Sequence, residues 1–248
     1  MDFFSQISKG FKENGYLIIR SPVKKEDVSE AIDNFVNFLK LPDSFKNQLS
    51  PNLESNINYS ESENKEYLSY SPGIKRNINS PEIDNFILSA EKIYAVAKTA
   101  MQEIIIQLEK QFPGIHKNFV PHHNVNPYHL VFMKYGKDLE KIPARPHYDK
   151  CALTLLLSET NPGLRIGINN KTTKPVMAAK NQAILMAGVR MRSITNQDFR
   201  PGWHEIAHDR KNNINENISR ISIVFFADIT EGPYPTFSEF TNSIEYSD

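Results

Sequence analysis

One cysteine, Cys151, is all the thiol chemistry in this 248-residue chain, so an intramolecular disulfide is excluded. The sequence has no apolar run long enough to span a bilayer. Its start, MDFFSQISKGFKENG, has neither a basic n-region nor a continuous apolar h-region. A soluble protein of the cytoplasm, with no membrane partner, is the expectation. Net charge is missing as well: 29 basic residues balance 29 acidic ones, which removes the global electrostatic footprint that nucleic-acid binding leaves. Any charged partner has to be read locally. Repeats, low-complexity tracts and a clear interdomain linker are also absent, and the length suffices to bury a core without metal or disulfide. A single domain over 1–248 is expected, and nothing in the sequence sets its oligomeric state.

What is present falls into two textures. Phe3, Phe4, Ile7 and Phe11 recur at helical spacing before GYLIIR switches to a short apolar run, which predicts a helix and then a strand. After a turn at Ser21-Pro22, Val28, Ile32, Phe35 and Leu39 share one helical face, and Pro42 ends the pattern. The stretch from Pro51 to Ser80, rich in Asn, Ser and Glu, reads as loop that wraps a surface or forms a lid at 52–79. Ser80 and Pro81 then read as the N-cap and first residue of a long helix. Its apolar positions, Ile83, Phe86, Ile87, Ala90, Tyr94, Ala97, Met101, Ile104 and Leu108, repeat until Pro113-Gly114, a stripe suited to backing a sheet.

From His129 the pattern changes to short strand-like runs broken by Gly, Pro and Asn: HLVFMKY, CALTLLLSE, GLRIGI, KPVMAA, QAILMAG, WHEIA and SRISIVFFADI. Such spacing predicts an antiparallel sandwich or barrel. The expected architecture is mostly β with flanking helices (α+β). Residues 1–120 form a mainly helical region packed outside, 121–232 the β core, and 233–248 a C-terminal tail.

The segment ARPHYDKCALTLLLSE places His147 and Asp149 two residues apart at the head of a strand-like run. Residues i and i+2 of a strand project to one side, so the pair would supply two ligands of a His-His-carboxylate facial set. Alone, the pair is equally a hydrogen-bonded His-Asp at a strand end. A third ligand has two candidates, His204 and His208; His204, after Trp203 at the opening of a strand, is the better placed, and His208 leads into a polar loop. His122, His123 and His129 have no accompanying carboxylate and are not read as a second metal site.

A second constellation lies in RISIVFF, where Arg220 and Ser222 share one face and Ile221, Ile223 and Phe225 the other. An Arg among residues this apolar requires an anion, because an unpaired buried guanidinium is expensive. That anion is either a protein carboxylate or a ligand carboxylate held by the Arg fork and the Ser hydroxyl.

The order His147-x-Asp149, a distant His204, then Arg220-x-Ser222 resembles the Fe(II)- and 2-oxoglutarate-dependent oxygenases, in their isopenicillin N synthase-like branch. TNQDFRPGWHEI, RISIVFF, GLRIGI with ILMAG, and FMKYG resemble further elements of that branch, as do GYLIIRSPV and FLKLPDSFKNQL near the start. Met133, Gly136, Val189 and Gln197 depart from its usual Asn, Pro, Asp and Gly. The resemblance implies a double-stranded β-helix, the jelly-roll of cupin-like proteins, for the β core. It implies Fe(II) held by His147, Asp149 and His204, and 2-oxoglutarate held through its distal carboxylate by Arg220 and Ser222, with Tyr135 adding its hydroxyl. Dioxygen would be the third reactant, and hydroxylation, desaturation or cyclisation of a small molecule, in secondary metabolism, the outcome.

Arg145, Arg190 and Arg192 are read as strand-adjacent cations that either form salt bridges or meet a substrate carboxylate, the latter favouring an acidic or amino-acid-like substrate. Three other readings stand beside this one. An Fe(II) oxidase of the isopenicillin N synthase type would not use 2-oxoglutarate, a non-catalytic barrel would only bind a small ligand, and a zinc hydrolase would leave Arg220 and Ser222 without a task.

Overall fold

The computed structural model describes residues 2–46, 58–62, 65–72, 80–122, 125–135, 144–207 and 219–245. The opening helix, strand and helix are α1 (Phe3–Glu13), β1 (Tyr16–Arg20) and α2 (Lys25–Leu39), as the periodicity predicts. Asp2 caps α1 by accepting from the Ser5 amide at 3.0 Å. After the short α3 (Asp43–Lys46) come β2 (Asn58–Ser62) and β3 (Lys65–Tyr70), and then α4 (Pro81–Leu108). Pro81 sits at the first turn of α4 with Glu82 and Asp84, where a missing N–H costs nothing and acidic groups favour the dipole. All nine apolar positions read from the sequence of this helix are buried. No described helix is long and apolar enough to cross a membrane.

The remaining strands are β4 (Tyr128–Tyr135), β5 (Ala144–His147), β6 (Leu153–Glu159), β7 (Leu164–Gly167), β8 (Lys174–Pro175), β9 (Gln182–Ala187), β10 (Trp203–Ile206) and β11 (Arg220–Ala227). Two short helices, α5 (Val189–Ile194) and α6 (Phe237–Thr241), and a 3-10 helix at Ile115–Phe119 complete the described elements. The strands form two antiparallel sheets: seven in the order β1-β9-β6-β11-β4-β3-β2, and four in the order β5-β10-β7-β8. This is the jelly-roll arrangement with helices outside that the sequence led us to expect.

Strand alternation gives the large sheet two different faces. Leu68, Leu130, Phe132, Leu155, Leu185, Ile223 and Phe225 point outward into one apolar cluster with α2 and α4. Phe86 of α4 lies at the centre of that layer, its ring 4.9 Å from Phe132, 5.6 Å from Phe35 and 5.5 Å from Phe38. Met133, Leu156, Ile184, Met186 and Val224 point inward, where they meet Leu164, Ile166 and Ile206 of the small sheet. The interior between the sheets is where the site lies.

One expectation needs correction. Part of the polar stretch expected to be loop is the β2–β3 hairpin, which extends the large sheet beyond β4. Its apolar positions Tyr59, Leu68 and Tyr70 are buried, whereas Lys65, Tyr67 and Ser69 alternate onto the face that lines the interior cavities. A strand with a polar inner face has no continuous apolar signal. Residues 47–57 and 73–79, where the lid reading mostly falls, lie outside the described residues, as do His123 and His208. The segment GVRMRS falls on the helix α5, which directly follows β9, so Arg190 and Arg192 are strand-adjacent as expected.

Because Phe86 fills the gap between α2, α4 and the sheet, Phe86→Ala should cost about 3–5 kcal/mol of stability through lost transfer energy plus a cavity. Urea unfolding with an unchanged m-value would record it.

Candidate functional site

The antiparallel pairing of β5 with β10 sets His147 directly opposite His204. Their rings are 4.4 Å apart at 50°, and each Nε2 is 3.8 Å from Asp149 Oδ1. One ligand atom from each of the three residues lies within 4.8 Å of the others. The His-x-Asp spacing thus brings both side chains to one side, although the strand itself ends at His147.

Neighbouring groups aim all three ligand atoms. His147 Nδ1 is 2.7 Å from the Arg145 carbonyl and His204 Nδ1 is 3.0 Å from the Gly202 carbonyl. A carbonyl can only accept, so each ring carries its proton on Nδ1 and presents the Nε2 lone pair to the centre. Asp149 Oδ2 accepts from the Thr154 hydroxyl at 2.6 Å, leaving Oδ1 facing the imidazoles. Burial, reinforced by His204, pulls the His147 pKa down to about 4, which keeps it neutral and able to ligate at ordinary pH. The ligand loop is clamped to α5: Val189 N donates to Asp149 O at 2.9 Å. A Cβ on Gly188 would lie 2.1 Å from the Cys151 carbonyl oxygen, so only glycine permits that approach.

The triad stands between two cavities that share His147 and Asp149. An inner chamber of about 150 Å³ also contains Lys65, Tyr135, His204, Arg220 and Ser222 among apolar walls. An outer chamber of about 500 Å³ is lined by Tyr67, Ser69, His129, Phe226, Asp228 and Phe240, among others. Phe240 comes from α6, so the segment expected as a tail contributes a wall.

Arg220 is 8% exposed and donates from Nη2 to Glu159 Oε2 at 2.6 Å, so a protein carboxylate partners it. Among the described residues, Arg220 Nε and Nη1 and Ser222 Oγ remain buried without a hydrogen-bond partner. Tyr135 is opposite Arg220 in the sheet, its ring centroid 5.1 Å from the guanidinium carbon, and burial raises its phenol pKa while Arg220 opposes the shift. These orphaned donors beside a His-Asp-His set fit an anionic oxygen ligand that reaches towards a metal.

The three arginines read as substrate cations line neither chamber. Arg190 is 3% exposed and clamps the chain after β11: it donates to Asp228 Oδ2 and the Ile229 carbonyl, both at 2.9 Å, and to the Glu231 carbonyl at 2.6 Å. Arg192 donates to Gln197 Oε1 at 3.0 Å. Arg145 is exposed and enters the site only through its backbone carbonyl. Arg190 and Arg192 sit on α5, whereas Arg145 is on β5 with its side chain exposed.

Sequence reasoning missed Glu159, Lys65 and Thr154. The hydroxyl of Thr154, five residues after Asp149, was a legible signal within the quoted segment. Glu159 was not legible, because a bulge in β6 places it opposite Ser222 although Leu156 is opposite Val224. By simple alternation it would share the outward face of Leu155 and Leu157.

No protein-family model matches the chain, and no curated protein matches it. Solved structures do. A full-length Neurospora crassa protein in complex with alpha-KG and 5-formyluracil is 18% identical with a TM-score of 0.75, over 97% of this chain and 86% of that one. AtDAO1 of Arabidopsis thaliana, a dioxygenase for auxin oxidation in complex with 2-oxoglutarate, is 16% identical with a TM-score of 0.72, over 95% and 91%. A Caulobacter crescentus protein provisionally assigned to the 2OG-Fe(II) oxygenase family is 17% identical with a TM-score of 0.72, over 92% and 81%. The chain therefore has the fold of these oxygenases.

Thr154→Val, which keeps shape but removes the donor to Asp149, should lower Fe(II) or Mn(II) affinity by roughly tenfold or more. Metal titration by calorimetry checks this.

Proposed function

We propose that the chain is an Fe(II)- and 2-oxoglutarate-dependent oxygenase acting on a small organic molecule. The observation that carries the reading is the pair of unsatisfied Arg220 nitrogens, with Ser222 Oγ, in the chamber that the triad borders. Uncompensated buried donors cost about 1–3 kcal/mol each, more when charged, so the arrangement favours a ligand carboxylate that meets them. The fold shared with structures that contain 2-oxoglutarate supports the same reading.

In this reading His147, Asp149 and His204 would hold the metal through Nε2, Oδ1 and Nε2. When bound, Fe(II) and 2-oxoglutarate supply oxidative decarboxylation, which yields succinate and carbon dioxide and delivers an oxidising equivalent to substrate from dioxygen. With three protein ligands, a bound metal would keep positions open for co-substrate and dioxygen. Arg220 and Ser222 orient the distal carboxylate, and Tyr135 adds its hydroxyl beside them. Met133, Leu156, Val224 and Phe226 keep water from the inner chamber.

The primary substrate belongs in the outer chamber, whose volume is in the range of small-molecule sites. Tyr67, Phe226 and Phe240 offer aromatic surface there. His129, whose pKa burial lowers, contacts Ser71 Oγ at 3.3 Å, and Asp228 is partnered by Arg190. An acidic or amino-acid-like substrate would not meet Arg190 or Arg192, which are engaged elsewhere. Hydroxylation, desaturation and cyclisation begin alike and are all compatible with this cavity. A cytoplasmic setting and a single domain over 1–248 remain part of the proposal.

The Arg220–Glu159 pair favours one second reading, an Fe(II) oxidase that needs no 2-oxoglutarate because its arginine already has a carboxylate. Succinate release separates the two. Incubated with Fe(II), ascorbate and 2-oxoglutarate, the protein should consume dioxygen and form succinate, slowly without primary substrate. Asp149→Ala should abolish both, and Arg220→Gln should raise the apparent KM for 2-oxoglutarate by about ten- to a hundredfold. Dioxygen uptake without succinate would select the oxidase.

A further inference from the structure

Arg220 and its carboxylate partner border different cavities. Arg220 lines the inner chamber with the triad, and Glu159 does not. Glu159 instead lines a cavity of about 290 Å³ with Lys25, Met177 and Gln182, from which Arg220 is absent. The two side chains, 9% and 5% exposed, meet at 2.6 Å between Nη2 and Oε2. The carboxylate therefore reaches the guanidinium from outside the chamber that the triad borders. Among the described residues, Arg220 Nε and Nη1 are the nitrogens left without a partner, together with Ser222 Oγ.

A local irregularity puts the carboxylate there. Ser222 is opposite Glu159 and Val224 is opposite Leu156, so β6 carries one extra residue between the two pairs. The bulge turns Glu159 onto the face of Arg220 and Ser222. Just beyond it, Ile221 N donates to Thr160 Oγ1 and Thr160 N donates to the Ile221 carbonyl, both at 2.9 Å. Glu159 is thus anchored to the strand that carries Arg220. A long arginine side chain has rotamer freedom to lose when it binds a carboxylate, and a hydrogen bond from behind removes that freedom in advance.

We infer that Glu159 is a positioning residue for the co-substrate: by holding Nη2 from behind, it keeps Nε and Nη1 available to the distal carboxylate. This rests on the co-substrate reading given above and gives Glu159 a task within it, as the support of the ligand's anchor and not as a substitute for the ligand. A substitute would stand inside the chamber. One oxygen makes the contact, and Oε1 has no hydrogen-bond partner. The task thus needs a single acceptor at the right distance, not a two-oxygen clasp.

Calorimetric titration into the Mn(II)-loaded protein, in which no turnover intervenes, tests this with two ligands: 2-oxoglutarate, and pyruvate, a 2-oxo acid without the distal carboxylate. Glu159→Asp keeps the charge but is too short to reach Nη2, and Glu159→Leu removes the acceptor. Both should weaken 2-oxoglutarate binding about tenfold or more, while pyruvate and Mn(II) stay within about twofold. Glu159→Gln, which keeps an acceptor oxygen, should stay within about threefold for all three. Should Glu159→Leu fail to fold, Glu159→Asp carries the test. Unchanged or tighter 2-oxoglutarate binding in Glu159→Asp and Glu159→Leu would overturn the inference, the tighter case making Glu159 a rival of the ligand. So would an equal loss for pyruvate, which marks a general disturbance of the chamber, or a Glu159→Gln as weak as Glu159→Leu. Arg220→Met separates the two levels: if it is weakened, the co-substrate reading stands whatever Glu159 does, and if it is unchanged, that reading itself is overturned.

Discussion

The pairing of β5 with β10 sets His147 opposite His204, and the rest of the site depends on that register. A slip of one residue would send one imidazole to the other face of the small sheet and dissolve the triad. Register is held from both sides. Ile206 and Leu164 are buried between the sheets, and Trp203 packs edge-on at 4.8 Å against Tyr148, the residue between the two ligands of the His-x-Asp pair. Tyr148 donates from its hydroxyl to the Ile168 carbonyl and accepts from the Ile244 amide, which fastens the ligand loop to the chain beyond β7 and to the C-terminal segment. Metal geometry and barrel closure are therefore one constraint.

A second constraint is electrostatic. The inner face of the large sheet accepts Lys65, Tyr135, Arg220 and Ser222 where a simple sandwich would place aliphatic side chains. Holding a guanidinium there costs several kcal/mol unless it is paired, and Glu159 compensates only one of its nitrogens. Burial pushes the Glu159 carboxyl pKa up and Arg220 pulls it back, so the pair exists at the expense of both groups. Such strain makes sense where another anion is to be held. The outer face carries no such cost: Phe35, Phe86 and Phe132 interlock with α2 and α4 and supply stability independently of the chamber.

How far the chain could be read in advance follows from these two faces. The helices α1, α2 and α4, and the strands β4, β6, β7, β9, β10 and β11, were legible because each buries an apolar stripe or run, whereas β5, with the residues ARPH, carries none. The β2–β3 hairpin was not, because its inner positions are Lys65, Tyr67 and Ser69, and a strand with polar residues on its inner face reads as loop. In the site, His147, Asp149 and His204 were found by spacing and order, and they do converge. Arg190 forms a salt bridge, one of the two readings open for it, with Asp228, and Arg192 donates to Gln197.

The sequence by itself determined which side chains share a face: His147 with Asp149, Arg220 with Ser222, and the stripe along α4. For Arg220 with Ser222 and for α4 these are local consequences of strand and helix geometry, whereas Asp149 lies beyond the end of β5 and is held by the clamp from Val189. Only the tertiary structure decided which faces meet. It brought His204 across from β10, turned Glu159 inward through the bulge in β6, and aligned Lys65, Tyr135 and Arg220 in one row across three strands. The physical reason is that register, bulges and strand order arise from contacts between residues far apart in the chain, and local periodicity carries no record of them.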